Sequence, residues 1–565
     1  METARRAAGD RAGAGPATPS EAPAAETTVA GALAAGDPRI RPFFAGDPHL
    51  RADRLAAAER AAAHPRDRNG LADILAEQNT TWAAPAPALA GAVDDAVDSL
   101  RRQDSVAVVT GQQLGLFGGP LYTIHKALTA VQYARRLAEE SGRPAVPVFW
   151  LADEDHDFAE VSWAAFAAGG DLVRLRYDDG QPADANRGPV GRIILGDGIL
   201  ATLDALARRL PEGPHSAALV EAMRATWRPG ARWRDAFAAT LRLLLPDAPL
   251  VFASADDERM KALAAPVLLG EATDWIATHA AHAARTELVE TAGFPAQVPP
   301  RRVHLFLLED GKRLALDPVD PSDPRAGVTV RAGGRRVSAS DLALIGRESP
   351  ALLSPDVVMR PVMQDALLPT AAYVAGPGEL AYFAQLGGVY DRFGVPMPIV
   401  ALRASFTLVE PSIRRVLDVL GVGFAELAGD PVALQTDIAL RDGAPALGDS
   451  LREADAKVED ALAGARAAVE ALDRSLGTAA GAALARSRHA LATLRLKAER
   501  VARRRADDSA ARVARVLAAL RPAGAPQERV LSALGLYARY GHRLGTHVGQ
   551  AIDLEARGHL VTDLP

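Results

Sequence analysis

Residues 105–152 carry the pattern that most narrows the fold of this chain. The β-branched run SVAVVT (105–110) ends at a glycine, and the apolar run PAVPVFWLA begins at residue 144. Between them, apolar residues recur at helical spacing, namely Leu121, Ile124, Leu128, Val131 and Leu137. Strand, glycine loop, helix and strand make a βαβ unit, which predicts a right-handed crossover and a parallel sheet.

The same alternation continues along the chain. Further strand candidates are PLVFAS (249–254), the hairpin-like VHLFLLEDGKRLAL (303–316), TAAYVAG (370–376) and PMPIVALR (396–403). One helix, GELAYFAQLGGVYDRF from residue 378, is predicted between the last two strands. The interval from about 160 to 245 is predicted to be mostly helical and to form an insertion. The fold class is therefore α/β.

A coiled-coil pattern begins at residue 451, where apolar residues follow a 4-3 repeat. The seam comprises Leu451, Val458, Leu462, Ala465, Val469, Leu472, Leu476, Ala479 and Ala483. After the interruption SLGTAAG (475–481), a second periodic stretch runs from 491 to 520. We expect two long helices, joined near 477–481, that form an antiparallel hairpin. Packing and dimerisation are the favoured roles of this hairpin, ahead of a direct part in catalysis.

Composition excludes several classes of function. The 565 residues include no cysteine, which rules out disulfides, thiolate metal sites and a thiol nucleophile. A formal net charge of -6 gives no electrostatic footprint for nucleic acid or an anionic membrane. Because no secretory signal or run of about 18 uncharged apolar residues is present, we expect a cytoplasmic protein.

The first 36 residues are almost entirely Ala, Gly, Pro, Thr and charged residues. This composition predicts a disordered extension. A transit peptide is the alternative, and the acidic residues Glu2, Asp10, Glu21 and Glu26 count against it.

The glycine-rich loop TGQQLGLFGGPLYTIHK (110–126) follows the first strand of the βαβ unit. Its glycines fit neither the Walker formula nor the dinucleotide formula. A loop of this kind still lets backbone amides approach an anion near the positive end of the next helix. The residues expected to bind there are Gly111, Gln112, Gln113, Gly118, Thr123, His125 and Lys126. The structural alternative is a tight turn whose His125 and Lys126 only decorate a helix.

An acidic run follows the second strand, in the segment WLADEDHDFAEV that starts at Trp150. It comprises Asp153, Glu154, Asp155, His156 and Asp157. Ligands of open α/β sheets bind at the carboxyl ends of strands, where this run and the glycine loop should meet. Four acids so close together predict a positive partner, which is a metal, an Arg or an amine. No metal is assigned, because a single His gives no diagnostic ligand spacing. The alternative is a solvated acidic turn that caps the next helix.

A third polar cluster lies around a predicted strand, turn and helix in the segment 354–386. Its members are Arg360, Gln364, Asp365, Gly376, Glu379, Tyr382 and Gln385, and Arg403 ends the following strand. Arginines at such positions suit carboxylates, although each one alone is more often part of an internal salt bridge.

These three segments, together with PAGAPQERV (522–530), resemble the signatures of the bacillithiol biosynthesis cysteine-adding enzyme family. The resemblance spans about 37–545. It implies a Rossmann-like core with inserted connecting regions and a C-terminal coiled coil used in dimerisation. It divides the chain into a catalytic core (37–440), a helical hairpin (445–535) and a segment that packs back on the core (536–565).

The resemblance also implies an activity, in which L-cysteine is joined through its carboxyl group to the amine of glucosaminyl-malate. That is the last step of bacillithiol synthesis. A free carboxylate needs a leaving group before it can form an amide. The natural hypothesis is therefore a phosphate or adenylate, made from ATP or another nucleotide at the glycine loop. No cofactor is otherwise assigned.

Site roles follow from this assignment. The acidic run would receive an ammonium, and Lys126, Arg360 and Arg403 would receive the malate carboxylates. His156 would act as base or amine-orienting group, with Asp155 or Glu154 setting its tautomer. His125 and Trp150 complete the predicted site. Two alternatives stay open: an adenylating enzyme of nucleotidyltransferase type with another acceptor, and a non-catalytic scaffold that binds a sugar or nucleotide.

Overall fold

The computed structural model describes residues 28–427, 429–443, 445–505 and 507–565. The helices in chain order are α1 Val29–Ala35, α2 Arg51–Ala63, α3 Arg68–Thr81, α4 Ala90–Ser99, α5 Tyr122–Ser141, α6 Phe158–Val161, α7 Gly198–Arg209, α8 Ser216–Thr226, α9 Trp233–Leu244, α10 Glu258–Leu263, α11 Ala265–Thr273, α12 Trp275–Thr291, α13 Ala339–Glu348, α14 Met359–Leu367, α15 Pro377–Phe383, α16 Gly387–Phe393, α17 Pro411–Leu420, α18 Phe424–Leu427, α19 Pro431–Gly443, α20 Pro445–Leu472, α21 Gly477–Arg505, α22 Asp507–Leu520, α23 Gln527–Val530, α24 Leu534–Tyr540 and α25 Arg543–Ala551.

The strands of the described residues belong to four sheets. In chain order they are β1 Val106–Gln112, β2 Ala145–Leu151, β3 Trp163–Ala168, β4 Asp171–Arg176, β5 Val251–Ser254, β6 Leu305–Glu309, β7 Lys312–Pro318, β8 Val328–Val330, β9 Arg336–Val337, β10 Leu353–Pro355, β11 Thr370–Ala375, β12 Ile399–Leu402, β13 Ser405–Val409 and β14 His559–Asp563.

A parallel sheet with strand order β12-β11-β1-β2-β5 forms the centre of the fold. Successive side chains of β1 point to opposite faces, as a strand requires. Val106 and Val108 pack with α2 and α5, whereas Ala107 and Val109 enter the core shared with α3 and α4. The α/β fold with a parallel sheet is therefore confirmed, and the predicted βαβ unit is β1, α5 and β2.

Strand order reverses between β1 and β11. From β1 the chain moves outward to β2 and β5, and it returns later to add β11 and β12 on the other side. The carboxyl ends of β1 and β11 therefore border a crevice of the kind in which open α/β sheets bind ligands.

Two amide side chains of α3 cover the outer edge of β5. Asn79 accepts from the Phe252 amide at 2.9 Å and donates to its carbonyl at 2.8 Å. Gln78 makes the same pair of contacts with Ser254, at 2.9 and 3.2 Å. These bonds satisfy backbone groups that an edge strand would otherwise leave unpaired.

The predicted hairpin at 303–316 is confirmed as β6 and β7, but it lies outside the parallel sheet. It belongs to an antiparallel sheet with order β10-β6-β7-β8-β9. Its two-residue turn, Asp310 and Gly311, has φ angles of 50° and 73°. Such positive angles are those that tight hairpin turns need.

Three details of the predicted elements were wrong. The last residues of the predicted extension form α1, because the Thr28 hydroxyl accepts from the Gly31 amide and Val29 is buried. Residues 1–27 lie outside the described part of the chain. The 160–245 interval was predicted to be mostly helical, but it begins with an antiparallel hairpin of β3 and β4, and its helices come later in the chain. The hairpin packs on α22. The single helix predicted from residue 378 is two helices, α15 and α16.

The long helices α20 and α21 pack side by side as the predicted hairpin. Arg488 donates to Glu459 across the pair, which sets an antiparallel register. The joint is at residues 473–476 rather than at 477–481, because Asp473 leaves the helical conformation and caps the Ser475 amide. Leu472 of the predicted seam and Leu494 of the second periodic stretch are 83% and 54% exposed, so part of each apolar stripe faces away from the hairpin.

The C-terminal segment returns to the central unit. α25 packs against α5, and β14 pairs in parallel with β13, which directly follows β12 in the chain. Across the described residues, no helix has the length and apolarity that would suit a bilayer crossing.

Candidate active site

A cavity of about 680 Å³ opens at the carboxyl ends of β1, β2, β11 and β12, at the point where strand order reverses. The antiparallel sheet and the 298–301 loop form its other wall. The cavity brings all three predicted polar segments together. Predicted site residues that line it are Gly111, Gln112, Gln113, Lys126, Trp150, Glu154, Asp155, Arg360, Gly376, Glu379, Tyr382 and Arg403.

Nine residues of the predicted polar clusters do not line the cavity: Gly118, Thr123, His125, Asp153, His156, Asp157, Gln364, Asp365 and Gln385. Two of them act from behind its wall. Gln364 accepts from Arg360 at 3.0 Å, and Gln385 holds the amides of Gln297 and Val298 at 2.9 and 3.0 Å. These two glutamines therefore orient lining groups instead of meeting a ligand.

The glycine loop turns away from the cavity after Gln113. A Cβ atom at Gly115 would lie 2.6 Å from the Gly119 Cα atom, and one at Gly118 would meet Thr240 of α9 at 3.2 Å. The buried Thr123 side chain lies beside Gly119. The glycines therefore allow close packing, and the predicted anion cradle at Gly118 and Thr123 is not supported. Gly111 does reach the cavity, against the Trp150 carbonyl.

Lys126 lies at the floor of the cavity, almost fully buried. Its ammonium donates to the Gly111 carbonyl, to Gln112 at 3.3 Å and to the carboxylate of Glu379. Glu379 also accepts from the Tyr373 hydroxyl and the Gly376 amide, both at 2.7 Å. Burial opposes ionisation of Glu379, but Lys126 and these donors hold its pKa below the usual value. All three donors of Lys126 are thus already in use.

His125 and Arg403 converge on one carboxylate, that of Glu528. His125 Nδ1 lies 3.1 Å from Glu528, and Arg403 makes a two-point ion pair with it at 2.9 and 2.7 Å. The Phe406 amide also donates to it, at 3.0 Å. Burial would raise the pKa of Glu528, but His125 and Arg403 hold it well below the usual range. His125 is therefore structural, and Arg403 reaches the cavity already paired.

The acidic run is neutralised by the protein itself. Asp153 is buried against the Ser254 hydroxyl, with Arg234 3.7 Å away. Glu154 forms a buried ion pair with Lys261. Asp157 caps α6 at the Glu160 amide, which is the alternative considered for this run. Because these side chains point in different directions, they do not form one ammonium site. Nor do the His, Asp and Glu side chains of the described residues form a group of three or more that suits a metal ion.

His156 lies just outside the cavity, 41% exposed at its side chain. Its Nδ1 atom is 3.1 Å from Arg313 Nη1 and 3.5 Å from Asp155. Arginine can only donate, so this contact occupies the Nδ1 lone pair and places the proton of a neutral ring on Nε2. Neither nitrogen of the neutral ring then has a free lone pair. The contact does not favour His156 as general base.

Sequence reasoning missed several lining residues, among them Glu160, Arg301, Arg313, Tyr373 and Arg529. Arg313 is on β7, where it contacts Ser354 at 3.0 Å and the Pro355 carbonyl at 2.7 Å. The signal for Arg529 and Tyr373 was present, since both lie inside segments that carried the family resemblance. Arg301 belongs to a loop without a recognisable motif.

Charge pairing separates the lining residues into two groups. Lys126, Arg313 and Arg403 have carboxylate partners at or below 3.8 Å. Arg301, Arg360 and Arg529 have none among the described residues. Arg360 donates instead to the Tyr382 hydroxyl at 2.7 Å.

The lining acids divide in the same way. Glu154, Asp155, Asp356 and Glu379 have basic partners within the protein. Glu160 has no cationic partner within ion-pair distance in the described part of the chain. Glu160 as a whole is exposed, and the partial burial of its carboxyl group raises its pKa, a rise that a hydrogen bond from Gln113 opposes.

Two family models match the chain. Residues 21–404 match the Rossmann-like N-terminal domain of bacillithiol biosynthesis BshC, and residues 406–564 match its C-terminal coiled-coil domain. A protein of Salinibacter ruber named "Putative cysteine ligase BshC" is 39% identical over 522 residues, which cover 92% of this chain and 93% of that protein. A protein of the same name from Chlorobaculum tepidum is 33% identical, with 88% and 89% covered.

Proposed function

The chain belongs to the bacillithiol biosynthesis BshC family, and from that premise we propose that it joins the carboxyl group of L-cysteine to the amine of glucosaminyl-malate. The observation that carries this proposal is the charge pairing in the cavity. Substrate groups are expected where a lining charge lacks a partner, because an unpaired charge in a partly desolvated site is unfavourable. Arg360 meets that condition, because it is only partly exposed, and Arg301, Arg529 and Glu160 are unpaired lining charges that are exposed.

The arginines fit the malate part of the acceptor. Arg360 is held by Gln364 and Tyr382, so its guanidinium is pre-oriented without being neutralised. Arg301 and Arg529 line the same cavity and are exposed. Guanidinium groups bind carboxylates through two parallel hydrogen bonds. We therefore assign one malate carboxylate to Arg360 and the other to Arg301 or Arg529, in place of Lys126 and Arg403.

Glu160 fits the amine. In the proposed reaction a nucleotide such as ATP first converts the cysteine carboxyl group into an acyl phosphate or acyl adenylate. The neutral amine then attacks the activated carbonyl carbon, a C–N bond forms, the bond to the phosphate oxygen breaks, and phosphate or AMP leaves. The proton lost by the amine passes to Glu160, whose raised pKa suits a general base better than that of an ordinary carboxylate. His156 then orients Arg313 and Asp155 and is not the base. The glycine-loop residues that pack against α9 do not reach the cavity. We therefore assign them no role in binding a nucleotide.

The hairpin supports a proposal about assembly. Leu472, Leu494, Leu496 and Val501 of α20 and α21 are between 47% and 83% exposed. Large apolar residues that recur on one pair of helices are typical of an interface. We propose a homodimer formed through the hairpin, located in the cytoplasm.

A coupling assay tests the function. Purified protein is incubated with cysteine and glucosaminyl-malate, with and without ATP, and the thiol product is measured by mass spectrometry. Three results support the proposed roles: product from the wild type, a rate lower by more than about 100-fold with Glu160→Gln, and most of the activity retained with His156→Ala. Pyrophosphate exchange without coupled product would favour the adenylating alternative. A protein that yields neither product nor exchange would fit the scaffold alternative.

A further inference from the structure

Another, smaller cavity of about 120 Å³ lies between α3, α4, α9 and the 83–89 segment, on the side of the edge strand β5. Arg242 of α9 lines it together with Asn79 and Thr80 at the end of α3 and Ala90 and Asp94 of α4. The main cavity shares none of these residues.

Arg242 is 2% exposed, and no carboxylate lies within ion-pair distance of it among the described residues. Its hydrogen bond goes from Nη2 to the amide oxygen of Asn79, at 3.4 Å. Nε is buried without a partner. The guanidinium also lies over the Phe252 ring, 4.5 Å from its centroid. Burial lowers the pKa of Arg242 to about 10. The side chain stays charged at neutral pH, so a buried cation is left without a counter-ion.

The first turn of α4 adds a second source of positive potential. α4 has ten residues and begins at Ala90, directly after a 3-10 turn (Pro87–Leu89) whose Pro87 carbonyl accepts from the Ala90 amide, and it has neither a side-chain cap nor an acidic residue in its first turn. Leu89 and Ala90 at this end line the cavity. The N-terminal end of a helix attracts anions. Two groups lower this positive potential: the carbonyl end of α3, and Asp94 in the second turn of α4. The Asp94 side chain is exposed, so solvent weakens its effect.

We propose that this cavity binds a small tetrahedral oxyanion of the phosphate class, with Arg242 as its buried counter-ion and α4 as its second contact. The volume suits a free ion or a single phosphate group and not a nucleotide. The anion would also support the outer edge of the sheet, because Asn79, which contacts Arg242, holds both backbone groups of Phe252. Binding of the anion would thereby stabilise the outer edge strand β5, which carries Ser254. The Ser254 hydroxyl in turn donates to Asp153.

Thermal unfolding of the full chain in potassium phosphate, against potassium chloride of equal ionic strength, tests the site. All the proteins compared carry the substitution Arg360→Met, which weakens the binding of phosphate in the main cavity. Phosphate is expected to raise the melting temperature by roughly 1–3 °C at saturation. Arg242→Met should abolish the rise, whereas the exposed control Arg208→Met should keep it. Glycerol 3-phosphate in place of inorganic phosphate tests the source of the group: an equal rise assigns the site to a small phosphate ester, and a smaller rise assigns it to the free ion.

The exposed Asp94 supplies a variant that does not disturb the core. Asp94→Asn removes a negative charge from the cavity wall and should lower the phosphate concentration for half-maximal effect by about fivefold. If Asp94 were itself the partner of Arg242 in solution, the variant would instead lower the melting temperature in chloride and leave the phosphate response unchanged. That result, or a phosphate response that persists in Arg242→Met, would overturn the proposal.

Discussion

Lys126 of α5 donates to the carboxylate of Glu379 of α15, and this pair of a buried lysine and a partly exposed glutamate joins the ends of β1 and β11 at the floor of the cavity. Lys126 also donates to the Gly111 carbonyl, and Glu379 accepts from the Gly376 amide. The pair therefore fixes the width of the crevice at the point where strand order reverses. Its role is to shape the site, and the substrate contacts fall to neighbouring side chains.

Replacing only the lysine should be costly. Lys126→Met leaves Glu379 charged, only 22% exposed and without its cationic partner, although Tyr373 and Gly376 still donate to it. We therefore expect the free energy of unfolding to fall by about 1–3 kcal/mol in denaturant titrations. The double variant Lys126→Met/Glu379→Gln removes both charges and should lose less than the single variant. A single variant as stable as the wild type would contradict this role of the pair.

Arg360 should control acceptor binding. Arg360→Met removes a charged hydrogen-bond donor and is expected to raise KM for glucosaminyl-malate by about 10- to 100-fold, with a smaller change in kcat. Steady-state kinetics with mass-spectrometric detection measure both constants. The matched control is Arg331→Met, because Arg331 is paired with Asp317 outside the cavity. Equal KM values for the two variants would remove Arg360 from the carboxylate site.

Glu271 provides a test of electrostatics behind the cavity wall. It is fully buried and accepts from the His304 amide at 2.9 Å, and burial raises its pKa to about 7. Its unfolded pKa is near 4.3. Between these values the unfolded state holds fewer protons, so this group costs stability as pH rises, by up to about 1.4 kcal/mol per pH unit, and the cost levels off above pH 7.

Glu271→Gln keeps the acceptor oxygen and removes the titration. We expect the variant to match the wild type near pH 4.5 and to exceed it by at most about 3 kcal/mol at pH 8, measured by urea unfolding across that range. Exposed Glu287 gives the control, because Glu287→Gln should show no such trend. A stability difference that does not change with pH would contradict the raised pKa.

Gly115 tests the interpretation of the glycine loop. A Cβ atom there would lie 2.6 Å from the Gly119 Cα atom, so Gly115→Ala must displace backbone and should destabilise the protein by about 1–3 kcal/mol. In contrast, a Cβ atom at Gly464 of α20 meets nothing within 4 Å, and Gly464→Ala should stabilise by about 0.5–1 kcal/mol. If the loop instead cradled an anion, Gly115→Ala would chiefly reduce activity and leave the melting temperature unchanged.

Local sequence patterns were sufficient for the sheet and for the position of the site. The strand at 105–110 and the helix after it could be predicted because the spacing of their apolar residues is a local property of the sequence. The position of the site could then be predicted because open α/β sheets bind ligands at the carboxyl ends of their strands. β3 was missed because its alanine-rich sequence has little strand preference, and its pairing and packing partners, β4 and α22, define it.

The partner of each charged side chain was beyond sequence reasoning. Arg403 pairs with Glu528, 125 residues later in the chain, and Glu154 pairs with Lys261, 107 residues later. Spacing along the chain holds no information about contacts at such separations. For that reason the acidic run looked like one binding site, although the fold distributes its members among several partners of its own.

The most direct test of the central claim is a crystal structure of the protein with glucosaminyl-malate. We predict density in the 680 Å³ cavity, with a malate carboxylate about 3 Å from the Arg360 guanidinium and the glucosamine amine within reach of Glu160. Density at another surface, with this cavity free of ligand at saturating acceptor, would contradict the proposed site.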